Sequence, residues 1–207
     1  MSNIRKLLYK NSHSLFFIKF LSGFFMLYFF FPFYRGLTGV GGTLYSPFLD
    51  NHLNLVRGIT RFLTFSARSL LEMLGYDVFQ KDYRSLRIDY SRGIVVNPSC
   101  LGWAVMSFWV AFVFANNGTW KHRTKWIIVG ISSICIVNVT RIALIALANH
   151  LHWKTITSLT HENLHDSFNI FSYGCIFILM FIYVRVQKKY EGVDFKREQE
   201  SHTLSPI

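Results

Sequence analysis

Long apolar stretches constrain this 207-residue chain more than any other feature. A helix needs about 20 mostly apolar residues to cross the hydrocarbon core of a bilayer. Four stretches approach that length, at residues 15–33, 101–117, 126–149 and 167–186. Only 16% of the residues are charged, against roughly 25% in soluble domains. The pattern predicts an all-α integral membrane protein. It excludes collagen, a coiled coil or a disordered chain, and it argues against a soluble enzyme.

Residues 55–75 differ from these stretches because Arg57, Arg61 and Arg68 follow one helical face while apolar residues cover the rest. Such a pattern is typical of an amphipathic helix. Three arginines on one span are costly, so we expect this helix at the interface or against the bundle, with a further crossing as the alternative. The fold prediction is one domain over residues 1–190, a bundle of about four to six transmembrane helices, followed by a polar cytoplasmic tail at 191–207.

The distribution of basic residues predicts the orientation of the bundle. If residues 55–75 do not cross, the N-terminus, the loop at 121–125 and the chain after residue 185 share one side, and that side is dense in Lys and Arg. Short basic loops are typical of the cytoplasmic side. Residues 34–99, with a small β-hairpin, and residues 151–165 are then outside. The net charge of +11 is therefore attributed to membrane topology rather than to nucleic-acid binding.

Cys100 is the first candidate for chemistry. It opens the second apolar stretch, directly after Pro98 and Ser99. Free amides at a helix N-terminus lower the pKa of a thiol and form a natural oxyanion site. Cys135 and Cys175 lie in the middle of spans and are interpreted as small apolar residues. Cys100 is therefore the candidate nucleophile.

Two further polar groups belong to the same end of the predicted bundle. Arg141 interrupts an apolar span, and Asn138 precedes it by three residues on the same helical face. A membrane-buried Arg is a functional-site hypothesis by default; the alternative is snorkelling to the interface. His165, followed by Asp166, stands before the last span and is a candidate acid and base. A thiol, an imidazole and a guanidinium form a complete set for covalent acyl transfer.

Three sequence blocks resemble the signatures of the exosortase/archaeosortase family, namely NPSCLGW at 97–103, NVTRI at 138–142 and HDSFN at 165–169. The resemblance implies a membrane cysteine transpeptidase of compact bacterial type. It also implies Cys100 as nucleophile, Arg141 as the family's conserved arginine and His165 as the proton shuttle. The chain departs from the family at Leu101, where serine is common before the glycine.

The resemblance further implies substrates and location. The substrates would be exported single-span proteins with a C-terminal sorting signal, which is cleaved at the outer face of the membrane. The acceptor, with a polysaccharide or a lipid-linked group as candidates, would lie at the outer face of the bacterial inner membrane. No metal or organic cofactor is expected. Asn138 is expected to orient Arg141, and Asp166 to fix His165 or to pair with Arg141.

Two other functions use the same residues. The run from His161 and Glu162 to His165 matches H-E-x-x-H, which on a helix places two zinc ligands and a general base on one face. An intramembrane zinc metalloprotease needs a third ligand, and it leaves Cys100 and Arg141 without a role. A non-enzymatic assembly factor for surface-protein or polysaccharide export would use its polar residues for packing. Replacement of Cys100 distinguishes these functions from the cysteine enzyme.

Overall fold

The computed structural model describes residues 2–39, 44–89, 91, 93–151 and 170–189, with the backbone alone for residues 2–13, 99 and 100. This part of the chain is an α-helical membrane bundle, as the sequence predicts. Its helices are α1 Ser2–Thr38, α2 Pro47–His52, α3 Leu55–Met73, α4 Trp103–Ala115, α5 Trp120–His150 and α6 Ile170–Lys189. A 3-10 helix, Pro98–Leu101, precedes α4.

Three of the described helices are long and apolar enough to cross a membrane: α1 over Ser14–Thr38, α5 and α6. Helix α4 is apolar but has only 13 residues, or about 20 Å at 1.5 Å per residue. It is shorter than the predicted span at 101–117, because the first residues of that stretch belong to the 3-10 helix and to Gly102. The first three residues of the predicted span at 167–186 lie outside the described residues.

Helix α1 packs antiparallel against α4 through aromatic side chains. Phe31, close to the end of α1, stacks on Trp103 at the start of α4. Phe16, fifteen residues earlier, meets Phe112 near the end of α4. The Trp103 indole also donates a hydrogen bond of 2.9 Å to the carbonyl of Leu27. Helix α1 is longer at both ends than the predicted span at 15–33.

Helix α5 runs antiparallel to α4, and α6 runs antiparallel to α5. Near the start of α5, the Trp126 carbonyl accepts a hydrogen bond from the Trp109 indole. Tyr183, late in α6, contacts the rings of both tryptophans. The opposite end of the bundle therefore carries the end of α1, the start of α4, the end of α5 and the start of α6.

A small antiparallel sheet covers that opposite end, which we call the sheet end. The sequence predicts a small hairpin here, and the sheet has three strands, in the order β1 Val78–Phe79, β2 Ser85–Ile88 and β3 Ile94–Val95. Leu86 and Ile88 of β2 are buried against α3 and α5 in one apolar cluster. We call the other end the basic end, because it carries the turn before Lys121 and the last residues of α6. Helix α2, which the sequence pattern did not predict, joins α1 to α3 at the sheet end.

Candidate active site

Cys100 lies on a tight turn between β3 and α4. The chain leaves β3, forms the 3-10 helix Pro98–Leu101 and then passes through Gly102, whose φ of +72° is in the left-handed region. Helix α4 begins only at Trp103. The prediction that Cys100 opens the second span is therefore corrected: its turn precedes the helix and is separated from it by the left-handed glycine.

Asn138 of α5 fastens this turn to the bundle. Its buried side chain donates a hydrogen bond of 3.0 Å from Nδ2 to the carbonyl of Leu101, the residue after Cys100. A Cβ at Gly102 would lie 2.6 Å from the same Nδ2 atom and 3.4 Å from a methyl group of Ile134. Glycine is therefore required here twice, by the backbone angle and by the close approach of Asn138.

Arg141 lies one turn further along α5 and is only 8% exposed. It borders a cavity of about 180 Å³ between the start of α4, α5 and the start of α6. Asn138 and Gly102 border the same cavity. The hydrogen bond from Asn138 to Leu101 thus brings the backbone turn of Cys100 to the cavity that Arg141 lines.

Two sources bring positive charge to the border of this cavity. Trp103, Ala104 and Val105 open α4 and line the cavity. The first N–H groups of an α-helix have no carbonyl partner within the helix, and they carry the positive end of its dipole. The guanidinium of Arg141 adds a full positive charge on the other side. Such a setting suits an oxygen that gains negative charge during acyl transfer.

Several predicted residues lie outside the described part of the chain. These are His161, Glu162, His165 and Asp166. Among the described residues, no three His, Cys, Asp or Glu side chains lie close enough together to hold a metal ion. The structure thus brings together Asn138, Arg141 and the turn of Cys100, while the roles of His165 and Asp166 remain predictions.

The structure also adds residues that sequence reasoning did not single out. Ser172 and Tyr173 in the first turn of α6, and Ser133 of α5, line the cavity. They bring hydroxyl groups to the wall that Asn138 and Arg141 share. Small polar residues inside an apolar span are common as packing contacts between helices, so the sequence carries no signal that marks these three.

Comparison with known families decides the classification. The family model described as transmembrane exosortase (Exosortase_EpsH) matches residues 42–182, well over half of the chain. The chain belongs to the transmembrane exosortase family. The match covers the turn of Cys100, Arg141 and His165, and it leaves out the whole of α1 and the tail. No curated protein and no solved structure matches this exosortase.

Proposed function

We propose that this exosortase is a cysteine transpeptidase that cleaves the C-terminal sorting signal of exported proteins and transfers them to an acceptor. The observation that carries the proposal is the hydrogen bond from Asn138 to the Leu101 carbonyl. It holds the backbone of the nucleophile turn beside the cavity that Arg141 lines. Family membership supports peptidase chemistry, and Arg141 and the first amides of α4 border the cavity as possible partners of an oxyanion.

The reaction proceeds in two steps, acylation of Cys100 and transfer to the acceptor. The Cys100 thiolate attacks the scissile carbonyl carbon, and the oxygen becomes negative beside Arg141 and the first amides of α4. His165 then gives a proton to the leaving amine as the C–N bond breaks, which leaves a thioester on Cys100. An acceptor amine, hydroxyl or water attacks the thioester, His165 takes its proton, and the thiolate leaves. Asp166 fixes the imidazole.

The substrate reaches this site from the lipid as a single helix. The hydrophobic segment of a sorting signal lies in the bilayer, and the scissile bond lies just outside it. The basic end of the bundle carries Lys121, Arg123, Lys125, Lys188 and Lys189. By the positive-inside rule this end is cytoplasmic. The cavity at the sheet end then faces outward, on the side of the inner membrane where exported proteins emerge.

Co-expression with a tagged substrate tests the proposal. The substrate is a single-span exported protein from the same genome that ends in a short motif, an apolar span and a basic cluster. The wild-type enzyme shortens it, and Cys100→Ser abolishes the shortening. Cys135→Ser is the matched control that retains it, because Cys135 does not line the cavity, whereas Cys175 does. Arg141→Gln lowers the rate by about 10²–10³-fold, as expected for loss of an oxyanion donor.

Three outcomes would contradict the cysteine mechanism. Full processing by Cys100→Ser is one. Loss of processing on adding a metal chelator is another, and it would favour the zinc enzyme with His161, Glu162 and His165. The third is surface export that depends on the protein but continues unchanged with Cys100→Ala, which would favour the assembly factor.

A further inference from the structure

Helix α3 has a buried face that fixes it on the bundle. Leu63, Ala67 and Leu71 are almost fully buried in the apolar cluster that includes β2 and α5. Thr60 and Thr64, on the same face, donate their hydroxyl protons to backbone carbonyls one turn earlier. The polar atoms of this face are therefore satisfied within the helix.

A second face of α3 is a stripe of charged residues. Arg57 pairs with Asp50 of α2 at 2.7 Å, and Arg68 pairs with Glu72 at 2.7 Å. Arg61 lies between these pairs and is exposed. The stripe thus presents a cationic side chain at its centre, flanked by two ion pairs.

A third face is apolar and uncovered by the described residues. Phe62 is 56% exposed, Phe65 is 61% exposed and Met73 is 85% exposed. Phe65 follows Arg61 by one turn, so the aromatic face borders the cationic stripe. An exposed face of large apolar residues beside arginines is complementary to an interface where acyl chains meet anionic headgroups.

Both ends of α3 are attached at the sheet end of the bundle. At its start, the Tyr34 hydroxyl donates to the Leu53 carbonyl and accepts from the Leu55 amide, and Tyr34 belongs to the final turns of α1. Just after its end, the Tyr76 ring lies 5.7 Å from that of His150, the last residue of α5. A helix that crossed the bilayer would have its two ends at opposite ends of the bundle.

We propose that α3 is an in-plane anchor at the sheet end, with Phe62, Phe65 and Met73 among the acyl chains and Arg61 at the headgroup phosphates. Its length of 19 residues, about 28 Å, makes it long enough for a span by length alone. Three arginines inside the hydrocarbon core are costly, however. Because both ends of α3 are attached at the sheet end, the helix keeps its arginines at the membrane surface. This inference does not depend on the catalytic proposal.

Spin labels measure the depth of α3 directly. The full-length protein, with its three cysteines replaced by serine, is reconstituted in vesicles of phosphatidylethanolamine and phosphatidylglycerol. Single labels are placed at Phe65 and Met73, eight residues apart, and at Ile18 and Met26 of α1, also eight apart. Depth is read from the relative accessibility of each label to oxygen and to a water-soluble nickel complex.

The in-plane helix predicts that Phe65 and Met73 differ in depth by less than half of the about 12 Å that eight helical residues span. The α1 pair differs by close to that full length and shows that the cysteine-free protein is inserted. A 12 Å difference on α3 would show that the helix crosses. Nickel access at Phe65 and Met73 would show that no lipid covers this face. Either result overturns the proposal.

Discussion

Two close contacts join α4 and the turn before it to α5, one in the middle of α4 and one just before its start, and each depends on a glycine. In the middle of α4, the indole of Trp109 lies against Gly130 of α5, and a Cβ there would lie 1.9 Å from Nε1. At the sheet end, Gly102 receives the Asn138 amide. The first contact is surrounded by aromatic rings, and the second borders the cavity with Arg141.

The difference between these two contacts shows that one helix pair can serve both stability and chemistry. The Trp109 indole is completely buried, and its N–H is satisfied by the Trp126 carbonyl. This contact is a well-filled packing site. The Asn138 contact uses a similar close approach to hold a backbone turn instead of a side chain. We therefore expect substitutions at the contact of Trp109 with Gly130 to act mainly on stability, and those at the contact of Asn138 with Gly102 mainly on activity.

The largest effect is expected for Gly130→Ala. The added methyl group overlaps a rigid indole that is enclosed on all sides, so the helices must separate. Overpacking of this kind costs about 1–3 kcal/mol and sometimes more, and we expect the upper part of that range. The yield of folded protein and its melting temperature in detergent measure the loss.

Gly174→Ala is the matched control for Gly130→Ala, because a Cβ at Gly174 in α6 meets nothing within 4 Å. It should leave the melting temperature unchanged or raise it, since alanine favours a helix over glycine. Equal melting of the two variants would refute the close contact of Gly130 with Trp109.

Gly102→Ala is expected to be next in size and different in kind. The left-handed backbone costs an alanine about 1–2 kcal/mol, and its Cβ displaces the Asn138 amide. The nucleophile turn then shifts, so we expect at least a tenfold loss of substrate processing with a smaller loss of stability than for Gly130→Ala.

The double variant Gly102→Ala with Asn138→Ala sharpens this prediction. It removes the steric overlap, so part of the stability returns, while the turn stays unattached and processing stays low. Recovery of full processing would show that the turn does not need Asn138.

Asn138→Ala alone should have a modest effect on stability. Interhelical polar contacts in membrane bundles average about 0.6 kcal/mol and reach about 1.7. The effect on activity should be larger, because the Leu101 carbonyl loses its donor and the Cys100 turn loosens. In a variant lacking Cys135 and Cys175, only Cys100 can be alkylated. The pH dependence of its alkylation rate should change when Asn138 is replaced by Ala. An unchanged pH dependence of alkylation, together with a lower melting temperature, would show that Asn138 acts only in packing.

The smallest effect concerns Asp50, at the junction of α2 and α3. Hydrogen bonds from Asn54 and Tyr45 lower the pKa of this carboxyl, and the charge of Arg57 adds to them. Because the folded state favours the ionised form, the stabilisation is present at neutral pH and is lost as the pH falls below 3.8, the ordinary value. Asp50→Asn should lower the melting temperature slightly at neutral pH and make no difference in strong acid. A larger difference in acid would contradict this assignment.

The membrane fold could be predicted because hydropathy and charge act over whole helices. Arg141 was identifiable as a single charge in an apolar span. The break at Gly102 was not, since Leu101 and Gly102 continue the apolar stretch and the residue that requires the glycine, Asn138, is distant in sequence. Asn138 was expected to orient Arg141, whereas its described hydrogen bond goes to Leu101. Tertiary contacts of this kind leave no local pattern.

The small elements at the sheet end were harder to predict for another reason. Helix α2 has six residues and β1 has two, too few for a periodic pattern. Their positions depend on contacts such as the salt bridge between Asp50 and Arg57. The sequence predicted a small β-hairpin within residues 34–99, but the sheet has three strands, because β2 pairs with both β1 and β3.

The central claim is that Cys100, on the turn held by Asn138, is the nucleophile. The most direct test is mass spectrometry of the enzyme after brief incubation with a sorting-signal substrate and acid quench. We expect a hydroxylamine-sensitive thioester that links the N-terminal part of the substrate to the peptide containing Cys100, and less of this thioester in Asn138→Ala. Processed substrate with no adduct on Cys100, or an adduct on Cys135 or Cys175, would contradict it.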